Sequence, residues 1–398
     1  MDQSQFQICV VGGAGHVGAP LAVSLASKGF KTLIYDKNEN SLQTLKAGKF
    51  PFLEEGGDEL LRQTLPTGNL TFSSDPASLA TCAAVIITIG TPVDTYHNPV
   101  KHIVEECVEE LLPNLKSCRV LVLRSTVSPG TTDHLTAWLR ERGSSIGVAF
   151  CPERVVQGHA MREIRSMAQI ISATSPEAMQ LAEAIFAPIV GKVVQMKPME
   201  AEFAKLICNA YRYVQFAMTN QMYMLVQEAG CDYQAVLKGL KEDYPRMRDF
   251  PGPGFAAGPC LFKDTLQLAA CSDMQFVLGH AAIHVNEGLP AYMIRQLKRE
   301  TDLKSATVGL LGMAFKADND DARSSLSYKL KKILAYESKQ VLTTDPFVTT
   351  DPDLLPLDEV LHRSDILVVG APHTIYRKLD TGTKKTVDIW NILPKTSV

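Results

Sequence analysis

No apolar run in this 398-residue chain approaches the ~18 residues that a membrane span would need. A large excess of charge of either sign is also missing. The formal net charge is −3, which gives no electrostatic reason to expect DNA or RNA as a partner. The nine cysteines include no CxxC pair and no Cys/His cluster of metal-ligand spacing. No metal is therefore expected, and an odd, scattered set fits reduced thiols in a cytoplasmic protein. Most of them read as small buried apolar residues, with Cys9 and Cys151 beside strands and Cys208 on a helix. Residues 1–7 are polar and run into an apolar segment, 8–11, that is too short for a signal-peptide core. What remains is a soluble chain whose 45% hydrophobic residues suffice for two or three cores.

Short β-rich runs at 8–11, 32–35, 85–89, 120–123 and 148–150 alternate with helical stretches, and they lack a polar alternate face. Strands of that kind belong in a parallel sheet covered by helices on both sides. Residues 200–228 contain neither Pro nor Gly and keep a helical pattern until Gly230. Such a helix would be a spine between two α/β units and could supply a dimer surface. The strand and helix rhythm resumes at 307–311, 341–343, 366–369 and 387–389. The Pro/Gly-rich run 251–259 is the most loop-like segment in the middle, a place where site residues gather.

The run Val10-Val11-Gly12-Gly13-Ala14-Gly15-His16-Val17-Gly18 sets Gly13, Gly15 and Gly18 in GxGxxG order between a strand and an apolar helix. Gly13 suits the tight turn, Gly15 the approach of a pyrophosphate and Gly18 close helix packing. The helix start offers free N–H groups to phosphates. Asp36, at the end of the second strand, can accept from a ribose 2′-hydroxyl and would repel a 2′-phosphate. NAD is thus expected over NADP, with the neighbouring Lys37 as the one opposing charge.

Glu202, Lys205, Asn209 and Arg212 recur at spacings of three, four and three, so they share one face of the long helix. A Lys and an Asn one turn apart can polarise or deprotonate a hydroxyl as hydride leaves. Cys260 stands behind the Gly-rich loop, with Lys263 and Asp264 three and four residues on. A cation and a helix start after Pro259 would both favour its thiolate.

These motifs carry a resemblance. In order, Gly13-Ala14-Gly15-His16-Val17-Gly18, Gly90-Thr91-Pro92, Arg124-Ser125-Thr126-Val127, Cys151-Pro152-Glu153-Arg154, the Glu202 to Asn209 helix, the Cys260 loop and Gly312-Met313-Ala314-Phe315-Lys316 with Asp321-Ala322-Arg323-Ser324-Ser325 follow one pattern. Over essentially its whole length the chain resembles the UDP-glucose/GDP-mannose dehydrogenase family. The resemblance implies an α/β fold of two Rossmann-like parallel-sheet domains joined by a long central helix. Its parts would be an NAD-binding domain at 1–196, a helical dimerisation domain with the Cys loop at 197–300 and a nucleotide-sugar-binding domain at 301–398.

It also implies a four-electron oxidation of a sugar C6 alcohol to the acid, using two NAD in succession. Cys260 would form a thiohemiacetal and then a thioester. Lys205 and Asn209 would stabilise alkoxide and oxyanion, Asp264 would support water, Glu153 would assist hydrolysis, and Thr126 would position Glu153 or the water. The cofactor would meet Gly13, Gly15, His16, Val17, Gly18, Asp36, Thr91, Pro92 and Thr126. The sugar nucleotide would meet Glu153, Arg154, Lys205, Asn209, Gly254, Lys316 and Arg323, together with Arg246 reaching in from a second subunit of a homodimer.

Two positions depart from the family pattern: Ala257, where Gly is usual, and Gln221, where Glu follows Asn. The Cys151-Pro152-Glu153-Arg154 wording resembles the branch acting on UDP-N-acetylhexosamines such as UDP-N-acetylmannosamine, ahead of UDP-glucose and then GDP-mannose. A two-electron hydroxyacid dehydrogenase shares the glycine loop and the Lys/Asn helix but needs neither Cys260 nor a third domain. A silent NAD or nucleotide-sugar binder would not need Lys205, Asn209, Cys260 and Asp264 together.

Overall fold

The computed structural model describes residues 7–94, 100, 102–271 and 275–394. Contacts divide the chain into two compact units, 1–208 and 209–398.

The first unit is built on an eight-stranded sheet. Its strands are β1 (Gln7–Val11), β2 (Lys31–Tyr35), β3 (Leu70–Ser73), β4 (Ala84–Ile87), β5 (Val120–Leu123), β6 (Gly147–Phe150), β7 (Ala168–Ala173) and β8 (Lys192–Gln195). The order across the sheet is β3-β2-β1-β4-β5-β6-β7-β8. Because the side-chain period of a strand is two, Ile8, Val10, Ile34, Ile86 and Val122 enter one core, and Cys9, Val11, Leu33, Val85, Ile87 and Leu121 enter another on the opposite face. Both faces are dry, which explains strands with no polar side.

The expectation of an all-parallel sheet needs one correction. Strands β6 and β7 pair antiparallel, through Ala149↔Ala173 and Phe150↔Ser172. Between them lies a helix, Ala160–Ser166, of only two turns, too short to carry the chain back the length of the sheet.

The central helix runs Pro198–Glu228. Pro198 suits a first helical turn, and Gly230, at φ +71°, ends the helix in a conformation that costs other residues more. Its buried stripe passes through Glu202, Lys205, Asn209, Tyr213 and Asn220. Arg212 is exposed, because the 3.6-residue period takes the stripe from Asn209 to Tyr213, and Cys208, expected to be buried, is exposed one turn earlier on the same flank.

The second unit holds a four-stranded parallel sheet of β9 (Thr307–Leu311), β10 (Gln340–Thr344), β11 (Ile366–Val369) and β12 (Lys385–Val387), ordered β10-β9-β11-β12. The last strand stops at Val387, short of the expected 389. There the Asp388 carboxylate accepts from the amides of Trp390, Ile392 and Leu393 and turns the chain. The helix Val277–Glu300 packs Leu289, Met293 and Leu297 into the same core as Val308, Leu310, Ile366 and Val368. No helix of the described residues is long and apolar enough to cross a membrane.

Candidate active site

In the first unit, β1 ends in the glycine turn and the helix Gly18–Ser27 follows. The left-handed residue is Gly12, at φ +71°, not Gly13. Gly13 is required for a different reason: a Cβ there would lie 2.5 Å from the Val10 carbonyl. At Gly18 it would lie 2.5 Å from the Gly12 carbonyl, so the helix sits tight on the turn. At Gly15 the only neighbour within 4 Å is Gly12 O, at 3.3 Å, which leaves the outer side of the turn open. Val17 stands at the helix start, and no side chain caps it. The His16 ring lies 4.0 Å from that of Phe52, and its Nδ1 is 3.0 Å from Gln157 Nε2, which steadies the loop.

Asp36 is oriented by two amides, those of Ala14 at 3.0 Å and Asn38 at 2.9 Å. A carboxylate has about four acceptor sites, so it retains capacity for ribose hydroxyls. Lys37 is turned to Glu110, 2.7 Å away, and its opposing charge is matched there. Thr91 Oγ1 donates to the Thr126 carbonyl at 2.7 Å, and the Pro92 carbonyl accepts from Val100 N at 3.3 Å. An open glycine turn, an uncapped helix start and a fixed acid at the end of β2 are a fit for NAD.

Glu153 follows β6. One of its oxygens accepts from the amides of Arg154 at 2.7 Å and Val155 at 2.9 Å, and the other is paired with Arg124. The role of Arg124 was not legible from the motif that contains it. At the end of β5 it is almost wholly buried, donates to Cys151 O and Gln169 Oε1 and lies over the Phe186 ring. An Arg directly after four apolar strand residues was the available signal, since a charge so placed needs a partner. Arg154 spends its guanidinium on the Ala168 carbonyl.

Glu202 does not serve the site. It accepts from Gly130 N at 2.6 Å, Thr132 N at 2.8 Å and Thr132 Oγ1 at 2.6 Å, so it caps the helix Thr131–Glu141. Burial pushes its carboxyl up, against those donors. One turn on, Lys205 is only 7% exposed and has no ion-pair partner among the described residues.

In the second unit, Asn209 is 8% exposed and donates through Nδ2 to Asp264 Oδ2 at 2.5 Å. Asp264 is fully buried, and its other oxygen is 2.8 Å from Lys263 Nζ. Lys263 pairs with this carboxylate, and the charge of Arg323 also acts together with the Cys260 thiol. Cys260 is exposed and occupies the cap position of the helix Leu261–Ala270. Burial pushes the thiols of Cys151 and Cys118 up to about 12 and that of Cys107 to about 11, which keeps those three unreactive.

Arg323 is 61% exposed at its side chain and is held by Asp321 at 2.6 Å; that hydrogen bond raises it further. Lys316 lies 5.9 Å from the Phe315 ring centre, and Gly254 sits against Trp390. Arg246 is exposed, with the Tyr244 hydroxyl 3.2 Å away. Among the described residues no three His, Cys, Asp or Glu side chains are grouped to hold a metal.

Models of the UDP-glucose/GDP-mannose dehydrogenase family match as NAD binding domain over residues 6–190, central domain over 199–288 and UDP binding domain over 309–395. The NDP-N-acetyl-D-galactosaminuronic acid dehydrogenase of Ralstonia solanacearum is 29% identical over 94% of this chain and 93% of its own. Among solved structures, the UDP-D-ManNAc dehydrogenase of Pyrococcus horikoshii superposes with TM-score 0.91 at 26% identity, over 99% of this chain and 97% of that one. A UDP-glucose dehydrogenase of Pyrobaculum islandicum gives TM-score 0.90 at 26% identity, over 98% and 95%. The chain belongs to the UDP-glucose/GDP-mannose dehydrogenase family and is an NAD-dependent nucleotide-sugar dehydrogenase.

Proposed function

We propose that this enzyme oxidises the C6 alcohol of a UDP-N-acetylhexosamine, such as UDP-N-acetylmannosamine, to the uronate in two two-electron steps. The observation that carries the four-electron reading is the placement of Cys260. It is an exposed thiol at a helix cap beside the Arg323 charge, one turn before a buried Asp264 bonded to Asn209. An aldehyde has no hydride to give until a nucleophile adds, and an alcohol dehydrogenase without that second step has no use for such a thiol.

NAD, when bound, accepts a hydride in each oxidation. Lys205, buried and unpaired, receives the proton of the C6 hydroxyl, and Asn209 donates to the resulting oxygen. The Cys260 thiolate then adds to the aldehyde carbon as Lys205 returns its proton to the carbonyl oxygen, which forms the thiohemiacetal. Loss of the second hydride and of the hydroxyl proton yields the thioester, again with Lys205 and Asn209 at the oxygen. Water adds to the thioester, the carbon–sulfur bond breaks, and the thiol regains its proton as the acid leaves. In this reading Asp264 supports the water, Glu153 assists the hydrolysis, and Thr126 positions Glu153 or the water. Glu153 keeps about one acceptor site for this purpose, since three donors already occupy it.

In this reading residues 1–196 bind NAD, 197–300 carry the Cys loop and the dimer surface, and 301–398 hold the nucleotide. Lys316 and Arg323 pair with the diphosphate, and Gly254 and Arg154 line the sugar. The N-acetylhexosamine preference is supported by the likeness to the Ralstonia and Pyrococcus enzymes. The Pyrobaculum structure favours UDP-glucose as the second reading. A homodimer through the central helix is supported by Ile207, Tyr211, Met218 and Leu225, all exposed along it, and by the free reach of Arg246. The composition and scattered thiols suit a cytoplasmic enzyme.

The test is stoichiometry. With NAD and a panel of UDP- and GDP-sugars, two NADH should form per sugar, and Cys260→Ala should make no uronate while still binding NAD. One NADH per sugar with aldehyde as end product would overturn the mechanism, and no NADH with any sugar would favour a silent binder.

A further inference from the structure

Asn220 and Asn286 are both fully buried, and neither belongs to the reacting groups above. Asn220 lies on the central helix, and Asn286 lies on the helix Val277–Glu300. Asn220 grips both main-chain groups of Gly254: the Gly254 amide donates to Oδ1 at 2.9 Å, and Nδ2 donates to the Gly254 carbonyl at 2.9 Å. The remaining Nδ2 hydrogen goes to Asn286 Oδ1 at 3.0 Å, and Asn286 Nδ2 donates to Tyr213 O at 3.0 Å.

A buried amide is costly unless it is satisfied, and an apolar side chain would serve packing alone. Here the amide satisfies a loop that has little hydrogen bonding of its own, because Pro251, Pro253 and Pro259 have no N–H to give. The other side of the loop is braced by rings. A Cβ at Gly254 would fall 2.0 Å from the Trp390 indole, and one at Gly258 would fall 2.6 Å from the Phe315 ring. Gly258 N also donates to Ser324 O at 3.2 Å. The loop is therefore held from both sides, and Cys260 is the first residue past its far end.

We propose that Asn220 is a positioning residue for Cys260: by clamping Gly254 it sets the height of the loop, and so the place from which the thiol meets the aldehyde. The proposal rests on the reading of Cys260 as nucleophile. Displacement of a reacting group by about 1 Å can cost on the order of a hundredfold, so a loosened loop lets aldehyde escape before capture.

The experiment measures uronate formation and aldehyde release, the latter with semicarbazide as trap, in the full-length enzyme. Asn220→Ala, or the isosteric Asn220→Asp if alanine fails to fold, should keep NAD binding and the first oxidation. Its uronate rate should fall roughly ten- to a hundredfold while semicarbazone accumulates. Asn286→Ala leaves the Gly254 clamp intact and should stay within about threefold of wild type. That split separates positioning from packing, and equal leakage from Asn286→Ala would overturn the proposal. Cys260→Ala is the reference. If it makes uronate at the wild-type rate, the nucleophile reading itself fails. If it does not, yet a folded Asn220 variant makes uronate normally and releases no aldehyde, the role of Asn220 alone is refuted.

Discussion

Asn209 donates a 2.5 Å hydrogen bond to the buried carboxylate of Asp264, across 55 residues of sequence, and so joins the central helix to the first turn of the helix that Cys260 begins. In the proposed mechanism the pair gives one group for the substrate oxygen and one for water. Asp264→Asn preserves the shape and can still accept from Asn209, so the fold should persist. The charge that orients water is lost, and turnover should drop roughly a hundredfold. Mass spectrometry of enzyme quenched during turnover should then reveal the acyl adduct on Cys260. A slow variant with no adduct would place Asp264 in an earlier step.

Asp36 is fixed by the amides of Ala14 and Asn38, with Lys37 matched by Glu110. Asp36→Ala removes the proposed ribose acceptor and should raise KM for NAD at least tenfold, by roughly 1.4 kcal/mol or more, with little change in KM for the sugar nucleotide. Initial rates with wild-type enzyme should favour NAD over NADP. Equal efficiency with the two would remove Asp36 from the cofactor site.

Glu202 shares the buried face of Lys205 and Asn209 but is spent on Gly130 and Thr132. Glu202→Ala would strand two amides and a hydroxyl, a cost of roughly 3 kcal/mol. Denaturant unfolding of the first unit, followed through Trp138, should shift by that amount. In the folded fraction kcat should be unchanged, and a loss of kcat without a loss of stability would return Glu202 to the chemistry.

Asp345, at the end of β10, bears on acid stability. Burial pushes its carboxyl up, but the hydrogen bond from His373 Nε2 at 3.0 Å and the amides of Phe347 and Ala314 outweigh this and bring it down to about 2. A folded value below the unfolded one means stability that is present above about pH 4 and lost as pH falls through about 2, amounting to about 2 kcal/mol. Unfolding of the second unit, read through Trp390, should show that slope, and Asp345→Asn should flatten it. An unchanged slope in the variant would assign the acid sensitivity elsewhere.

Much of this molecule is written in short-range pattern. The apolar runs of β1, β2, β4, β5 and β6, the glycine turn before Gly18–Ser27, the uninterrupted central helix and the helix start after Pro259 are periodicities of 2 and 3.6, or turn chemistry, which neighbouring residues carry by themselves. Partners far apart in the chain were not legible. Arg124 finds Glu153 across 29 residues, Asn220 finds Gly254 across 34 and Glu202 finds Gly130 across 72. Glu202 and Asn209 look alike on a helical face, and only the position of another helix start makes the first a cap and leaves the second to Asp264. The antiparallel β6/β7 pairing likewise depends on how far a two-turn helix can carry the chain. Residue type and spacing determined which elements form and where a nucleophile could stand. Which buried polar group meets which partner was decided by packing, because a desolvated charge or amide accepts whatever donor the tertiary fold brings within reach.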